Sequence, residues 1–361
     1  MNCFHFTIRR VVFAALANAL IFGLAAQAQD LKPGVRGLAT RAPDDMKIDG
    51  DLAEFRCAFC TPVNYFHPQV KERAAQFFYM WDDKAFYAGL RTLDSKQANH
   101  APDDRLWEGD GVEWYFDTRR GEDFRSTSWG KGAVHMYWTG YNKLDLKPRW
   151  CLRPGYLDAI EGKGVEVGAR TTAFGSEVEF KLPWENFPSF KPAAGEVIAL
   201  DAELCYSDGG PRVDRIFTYG SPLCVQQPAG QGMIQLVEKL EPEHWKHCGA
   251  VMLPVRCDTP WSQTTRAMVS GKMMLPPDHA DQIGKVMFRL LDLEGKTIGE
   301  HTGAVKTLHE SGRFQLAEAQ WPSDTAPAGL HNLIGIVYDT SGKELTRVAP
   351  RMVSAGWVQG Y

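Results

Sequence analysis

Past Ala26 the 361-residue chain holds no apolar run near the roughly 20 residues that cross a bilayer as a helix. It lacks a basic tract: 40 Lys+Arg stand against 44 Asp+Glu, a net charge of −4, with no cationic stripe to follow a phosphate backbone. Nucleic acid is thereby excluded as an expected partner. There is no nucleophile elbow, no His-Glu-x-x-His pair and no Gly-rich phosphate loop, so the common hydrolase and nucleotide signatures are missing. Sustained helical periodicity is scarce as well.

The exception is the beginning. Arg9 and Arg10 precede the apolar stretch Val11 to Ala26, and Ala26-Gln27-Ala28 supplies a small-x-small cleavage site. Residues 1–28 read as a secretory signal peptide, leaving Gln29 as the new N-terminus and sending the chain to the periplasm or outside the cell. Val-Val-Phe-Ala after the arginine pair fits a twin-arginine signal poorly, and Cys3 precedes the apolar run, where no lipid is attached. Of the 8 cysteines, Cys57, Cys60, Cys151, Cys205, Cys224, Cys248 and Cys257 follow the leader, an odd number that leaves at least one out of any internal disulfide set. Cys205 and Cys224 flank a predicted hairpin, and Cys248 and Cys257 bracket a connector; both are candidate pairs. Cys57-x-x-Cys60 is no haem-attachment site, because Thr61 stands where His is required. It is half a zinc site at best, and it lacks the βαβ context of a redox motif, which leaves structural thiols or a disulfide.

Residues 29–239 read as short strands between turn signals: Ala74 to Met80 and Ala85 to Leu90 joined at Asp82-Asp83, then Val112 to Phe116, Val134 to Trp138, Val165 to Ala173, Glu177 to Leu182, Val197 to Cys205 and Ile216 to Tyr219. This spacing predicts an all-β fold, an antiparallel sandwich. Pro183-Trp-Glu-Asn-Phe187 predicts one helical turn. Residues 240–260 form a Pro-containing connector. In 261–361, Val286 to Lys296 and Ile336 to Lys343 each end in Asp-x-x-Gly-Lys, a hairpin signal. With strands near Arg266 to Met273, Gly312 to Leu316 and Leu330 to Tyr338, this region predicts a smaller immunoglobulin- or fibronectin-like sandwich, a spacer or a docking module for a protein partner.

The stretch most suggestive of chemistry is Leu106-Trp-Glu-Gly-Asp-Gly-Val-Glu-Trp-Tyr-Phe-Asp117. Alternation sends Val112, Trp114 and Phe116 to one face and Glu113, Tyr115 and Asp117 to the other. Trp107 lies on the approach, where Gly109 and Gly111 free the backbone for a tight turn. An indole beside a carboxylate suits a sugar, whose C–H face stacks on an aromatic ring while its hydroxyls donate to oxygen. A half-buried Trp in an ordinary hairpin is the competing reading.

From about Met46 to Val237 the chain resembles a family 9 carbohydrate-binding module, a β-sandwich of the broader DOMON-like type. The resemblance rests on Ile48-Asp-Gly-Asp-Leu-Ala-Glu54, Trp81-Asp-Asp-Lys-Ala-Phe-Tyr-Ala88, the Trp107 to Asp117 segment and Glu177-Val-Glu-Phe-Lys-Leu-Pro-Trp184, in that order. It implies a non-catalytic binder of an oligosaccharide or polysaccharide. Trp107 would be one wall and Glu113 an acceptor of sugar hydroxyls. The second Trp of the family falls near Asp214-Arg215-Ile-Phe217-Thr-Tyr219, where Tyr219 takes its place, with Arg215 and Phe217 beside it. Alternation sets Phe217 and Tyr219 on one strand face. On the central strand the family's Arg and Asn give way to Val134-His135-Met136-Tyr137-Trp138, in which His135 and Tyr137 share a face and line a pocket or form an interface pair. The family also binds structural calcium; no segment here offers an ordered calcium loop, and no ligands are assigned.

Two alternatives remain. Some DOMON-like relatives carry b-type haem, but His135 and Met136 face opposite ways on a strand and cannot reach one iron together. A glycoside hydrolase needs two carboxylates across a glycosidic bond, and Glu108 and Glu113 lie near the stacking Trp.

Overall fold

The computed structural model describes residues 30–64, 74–139, 147–153, 160–219, 222–241, 244, 251–252, 256–258, 268–275, 281–322, 325–348 and 351–355. The leader expected at 1–28 and much of the 240–260 connector lie outside them.

The first sandwich is built from twelve strands: β1 (Gly37–Arg41), β2 (Phe59–Asn64), β3 (Ala74–Trp81), β4 (Ala85–Leu93), β5 (Gly111–Asp117), β6 (Ala133–Thr139), β7 (Arg149–Leu152), β8 (Glu166–Thr172), β9 (Gly175–Pro183), β10 (Val197–Ser207), β11 (Arg212–Phe217) and β12 (Gly232–Val237). They hydrogen-bond in the order β7-β6-β5-β10-β12-β1-β3-β4-β9-β8, with β11 on β10 and β2 on β3. β1 joins the two halves. It runs parallel to β12 through Gly37–Thr40 and parallel to β3 through Thr40 and Arg41.

The halves fold onto each other because most strands carry apolar groups on their inward face. Val112, Trp114 and Phe116 of β5 meet Val134, Met136 and Trp138 of β6, and Val178, Phe180 and Leu182 of β9 close over them. The Trp114 and Trp138 rings stack at 5.7 Å, and both lie nearly parallel to Phe180 at 6.2 and 5.5 Å. Each such pair stabilises by about 0.5–1.5 kcal/mol beyond its buried area. β3 is buried on both sides: Phe77, Tyr79 and Trp81 enter this core, while Phe78 and Met80 pack beneath Leu52 and Phe55. The turn at Trp184–Asn186 is a short 3-10 segment preceded by Pro183, as predicted.

The second sandwich contains β13 (Val251–Met252), β14 (Arg256–Asp258), β15 (Met268–Leu275), β16 (Ile283–Leu291), β17 (Thr297–Thr307), β18 (Gln315–Pro322), β19 (Gly329–Asp339), β20 (Glu344–Arg347) and β21 (Arg351–Ala355). β17, absent from the sequence reading, pairs with β16 up to Gly303 and then with β18 from Ala304 onward, passing from one sheet to the other. Phe288, Trp321, Val286 and Leu333 fill the space between. Both Asp-x-x-Gly-Lys turns form as expected. Asp292 and Asp339 accept from Lys296 and Lys343 amides, and Gly295 and Gly342 sit at φ +86° and +87°, where glycine alone is unstrained. The sandwiches meet through an apolar cluster in which Ala74, Leu93 and Phe174 contact Met274, Phe314 and Leu316. Beside it Gln76 Nε2 donates to the Arg313 carbonyl at 2.5 Å.

Of the two readings left open for Cys57 and Cys60 the thiols hold, and the candidate pair Cys205–Cys224 does not form. Cys57 is an exposed free thiol, and Cys205 is a buried free thiol, so neither Cys57–Cys60 nor Cys205–Cys224 is a disulfide. The side chains of Cys248 and Cys257 lie outside the described residues.

Candidate functional site

The outer face of the β6-β5-β10-β11 half carries polar groups in rows, because strand alternation puts them opposite the aromatic core. Glu113 stands directly across from Tyr137 on β6 and Glu203 on β10; Tyr115 stands across from His135 and Asp201. These residues are buried yet bonded. Glu113 Oε2 lies 2.8 Å from His135 Nε2 and 3.1 Å from the Tyr115 hydroxyl, while Oε1 accepts from Arg212 Nη1 at 3.3 Å. Glu203 Oε2 accepts from Tyr115 at 2.7 Å, and its Oε1 accepts from Arg212 at 3.2 Å and Arg215 at 3.1 Å.

The protonation states follow from these partners. Arg153 Nη1 donates to His135 Nδ1 at 2.9 Å, which leaves Nε2 to carry the hydrogen given to Glu113. Burial and Arg153 together push the imidazole below its ordinary pKa. Burial opposes ionisation of Glu113, but His135, Arg212 and Tyr115 outweigh it and hold the carboxyl below its usual value. Glu203 is pushed up, first by burial and then by the neighbouring Glu113. Glu113, Glu203 and Cys205 bring potential ligand atoms within 4.8 Å of one another. Arg212 Nη1 contacts all three, at 3.3, 3.2 and 3.4 Å from Glu113, Glu203 and Cys205, so the positive charge at this point is a guanidinium. The cluster is therefore not assigned to calcium.

Trp107 is half-buried at one end of the face, with the Arg212 guanidinium 4.8 Å from its ring centroid. Its loop is held by buried polar groups. Asp110 accepts from the Ala98 amide at 2.6 Å and from the Ser207 amide and hydroxyl at 2.7 and 2.6 Å, and Asn99 Nδ2 donates to the Leu106 and Asp110 carbonyls. Burial and the nearby Asp94 push Asp110 up to about 7. Gly109 is extended, at φ −132°. Its role is close approach, since an added Cβ would meet the Ala98 carbonyl and the Asn99 Cα at 2.9 Å.

Trp107, Glu113, His135, Tyr137 and Arg215 are thus brought to one face. Tyr219 is not. The strand expected at Ile216 to Tyr219 runs from Arg212 to Phe217 and stops there. Asp201 Oδ1 then captures the Thr218 amide at 3.0 Å, its hydroxyl at 2.9 Å and the Tyr219 amide at 3.2 Å. That turn breaks the alternation and drives the Tyr219 ring inward, where its hydroxyl bonds Thr61 and its ring lies 6.5 Å from Tyr79. Phe217 remains on the polar face, 6.2 Å from Tyr115. Sequence reasoning also missed Trp129, whose ring stacks 5.9 Å from His135. Glu203, Cys205 and Arg212 were missed too. The signal for Glu203 and Cys205 was present: Asp201, Glu203 and Cys205 alternate with Ala202 and Leu204 along an otherwise apolar strand.

Residues 48–239 match the carbohydrate family 9 binding domain-like family. The chain belongs to that family. A family 9 carbohydrate-binding module from Caldicellulosiruptor kristjanssonii in complex with cellotriose is 19% identical and covers 56% of this chain and 94% of its own, at a TM-score of 0.46. The corresponding glucose complex is 18% identical and covers 56% and 96%, at a TM-score of 0.45. No curated protein matches this family 9 chain.

Proposed function

We propose that this chain is an exported, non-catalytic carbohydrate-binding protein that holds a sugar on the face formed by β5, β6, β10 and β11. The observation that carries the reading is family 9 membership across the first sandwich, combined with a half-buried indole, Trp107, set beside a preordered array of donors and acceptors. Fixed polar groups next to an aromatic ring suit a sugar, because a ligand loses less affinity to ordering the site.

A binding role is also supported by the state of the carboxylates. Glu113 and Glu203 are cross-strand neighbours that share Tyr115 and Arg212 as donors. Of the pair considered for a glycosidase, Glu113 is bonded to His135, Tyr115 and Arg212 and Glu108 to Arg105, so both carboxyls are engaged by protein donors. The haem alternative fares no better at His135, whose nitrogens bond Glu113 and Arg153, or at Met136, which is buried in the core.

Calorimetric titration of the full chain with oligosaccharides tests the reading, with reducing-end release assayed in the same samples. Binding without release is the expected result. Turnover, or no binding to any glycan across a broad array, overturns it.

A further inference from the structure

Two guanidinium groups, those of Arg212 and Arg215, converge on the buried carboxyls of Glu113 and Glu203. His135 is kept neutral by Arg153, and burial and the two carboxylates keep the Cys205 thiol protonated. Glu108, beside Trp107, is paired with Arg105 at 3.3 Å. The carboxylates, which in a site for neutral sugars would accept hydroxyl hydrogens, are already occupied by protein donors. What faces outward is the cationic part. Arg212 and Arg215 each spend Nη1 inward on the same oxygen, Glu203 Oε1, and among the described residues their Nη2 and Nε atoms bond no protein acceptor. The Arg212 and Arg215 side chains keep 20% and 39% of their surface open.

Resting on the carbohydrate reading above, we propose that the ligand of this face is an acidic carbohydrate, whose carboxylate is held by the outward N–H groups of Arg212 and Arg215 beside the Trp107 ring. The N–H fork of a guanidinium matches a carboxylate, and here two guanidinium groups are anchored through one shared carboxylate oxygen. Trp107, with Arg212 already against it, limits how the sugar ring approaches and sets it next to the anion site.

The test is titration of the full chain with an α-1,4-linked galacturonic acid trimer, its carboxyl-reduced galactose counterpart, cellotriose and poly-aspartate. The acidic trimer is expected to bind at least tenfold more tightly than its reduced counterpart, with affinity falling as salt rises. Arg215→Gln should remove most of that preference, and Arg215→Lys should restore part of it. Equal binding of the acidic and reduced trimers, or preference for cellotriose, overturns the acidic class while leaving carbohydrate binding in place. Equally tight binding of poly-aspartate shows a general anion site and overturns it too. No binding of any sugar removes both this inference and the reading beneath it.

Discussion

Glu113 and Glu203 face each other across β5 and β10 and share one hydroxyl, that of Tyr115, at 3.1 and 2.7 Å. A single proton cannot serve both oxygens at once, and the pair is held with further donors: His135 and Arg212 on Glu113, Arg212 and Arg215 on Glu203. Tyr115→Phe is expected to destabilise the fold by about 1–3 kcal/mol, the cost of leaving a buried acceptor without its donor. Urea denaturation measures this. A loss below experimental error would show the hydroxyl to be dispensable.

Trp107→Ala is expected to weaken glycan binding by about tenfold or more, from the loss of a stacking surface on the order of 1–2 kcal/mol. Its loop is held by Asp110 and Asn99, not by the indole, so the melting temperature should shift little. Calorimetry and a thermal melt of the same sample separate the two effects.

Phe217 and Tyr219 should part company when each is truncated. Tyr219→Ala removes a buried ring from the main core and is expected to cost about 3–5 kcal/mol of stability. Phe217→Ala, on the polar face, should lower affinity more than stability. Enlarging Tyr219 to Trp should also destabilise, because Gly37 and Gly232 already crowd its ring. Stability curves and titrations for all three variants decide the matter.

Stability should be greatest near the ordinary carboxyl range, about pH 4.5, and fall from there to about pH 7. Asp110 and Glu179, each pushed up to about 7 mainly by burial, hold their protons in the fold while ordinary carboxyls have lost theirs. Their contribution is fully present below the ordinary carboxyl pKa, falls steadily as pH rises from there, and is gone once pH has passed about 7. Glu113 and Glu177 are shifted downward, so theirs is lost as pH falls below the ordinary 4.5. Asp110→Asn should flatten the alkaline limb in a series of urea melts; an unchanged limb would mean Asp110 does not titrate there.

The strands were legible wherever apolar residues alternated or ran unbroken, as in Val112 to Phe116 and in the Asp-x-x-Gly-Lys hairpins. Alternation also placed Glu113, His135 and Tyr137 correctly, since period two is fixed by the pleat. It failed at Tyr219, where a buried Asp201 far away in sequence ends the strand two residues early. Trp129 and Arg212 were invisible for a related reason: each reaches the site from its own stretch of chain, and only the fold brings them beside His135 and Glu113. β17 was missed because its glycines and polar residues, Gly299, His301 and Gly303 among them, hide a strand whose exposed face carries little apolar surface.

The parallel pairing of β1 also sets an order in time. Gly37, early in the chain, finds its partner at Ile234, and Thr40 finds its partner at Val237. The opening strand must wait for almost the whole first sandwich to be synthesised before it can settle. Pairings this distant slow folding, since the long loop between them must close before any contact rewards it. The two halves stay unsealed until Val237 arrives, so a chain cut short before that point should be open along the seam between β12 and β3.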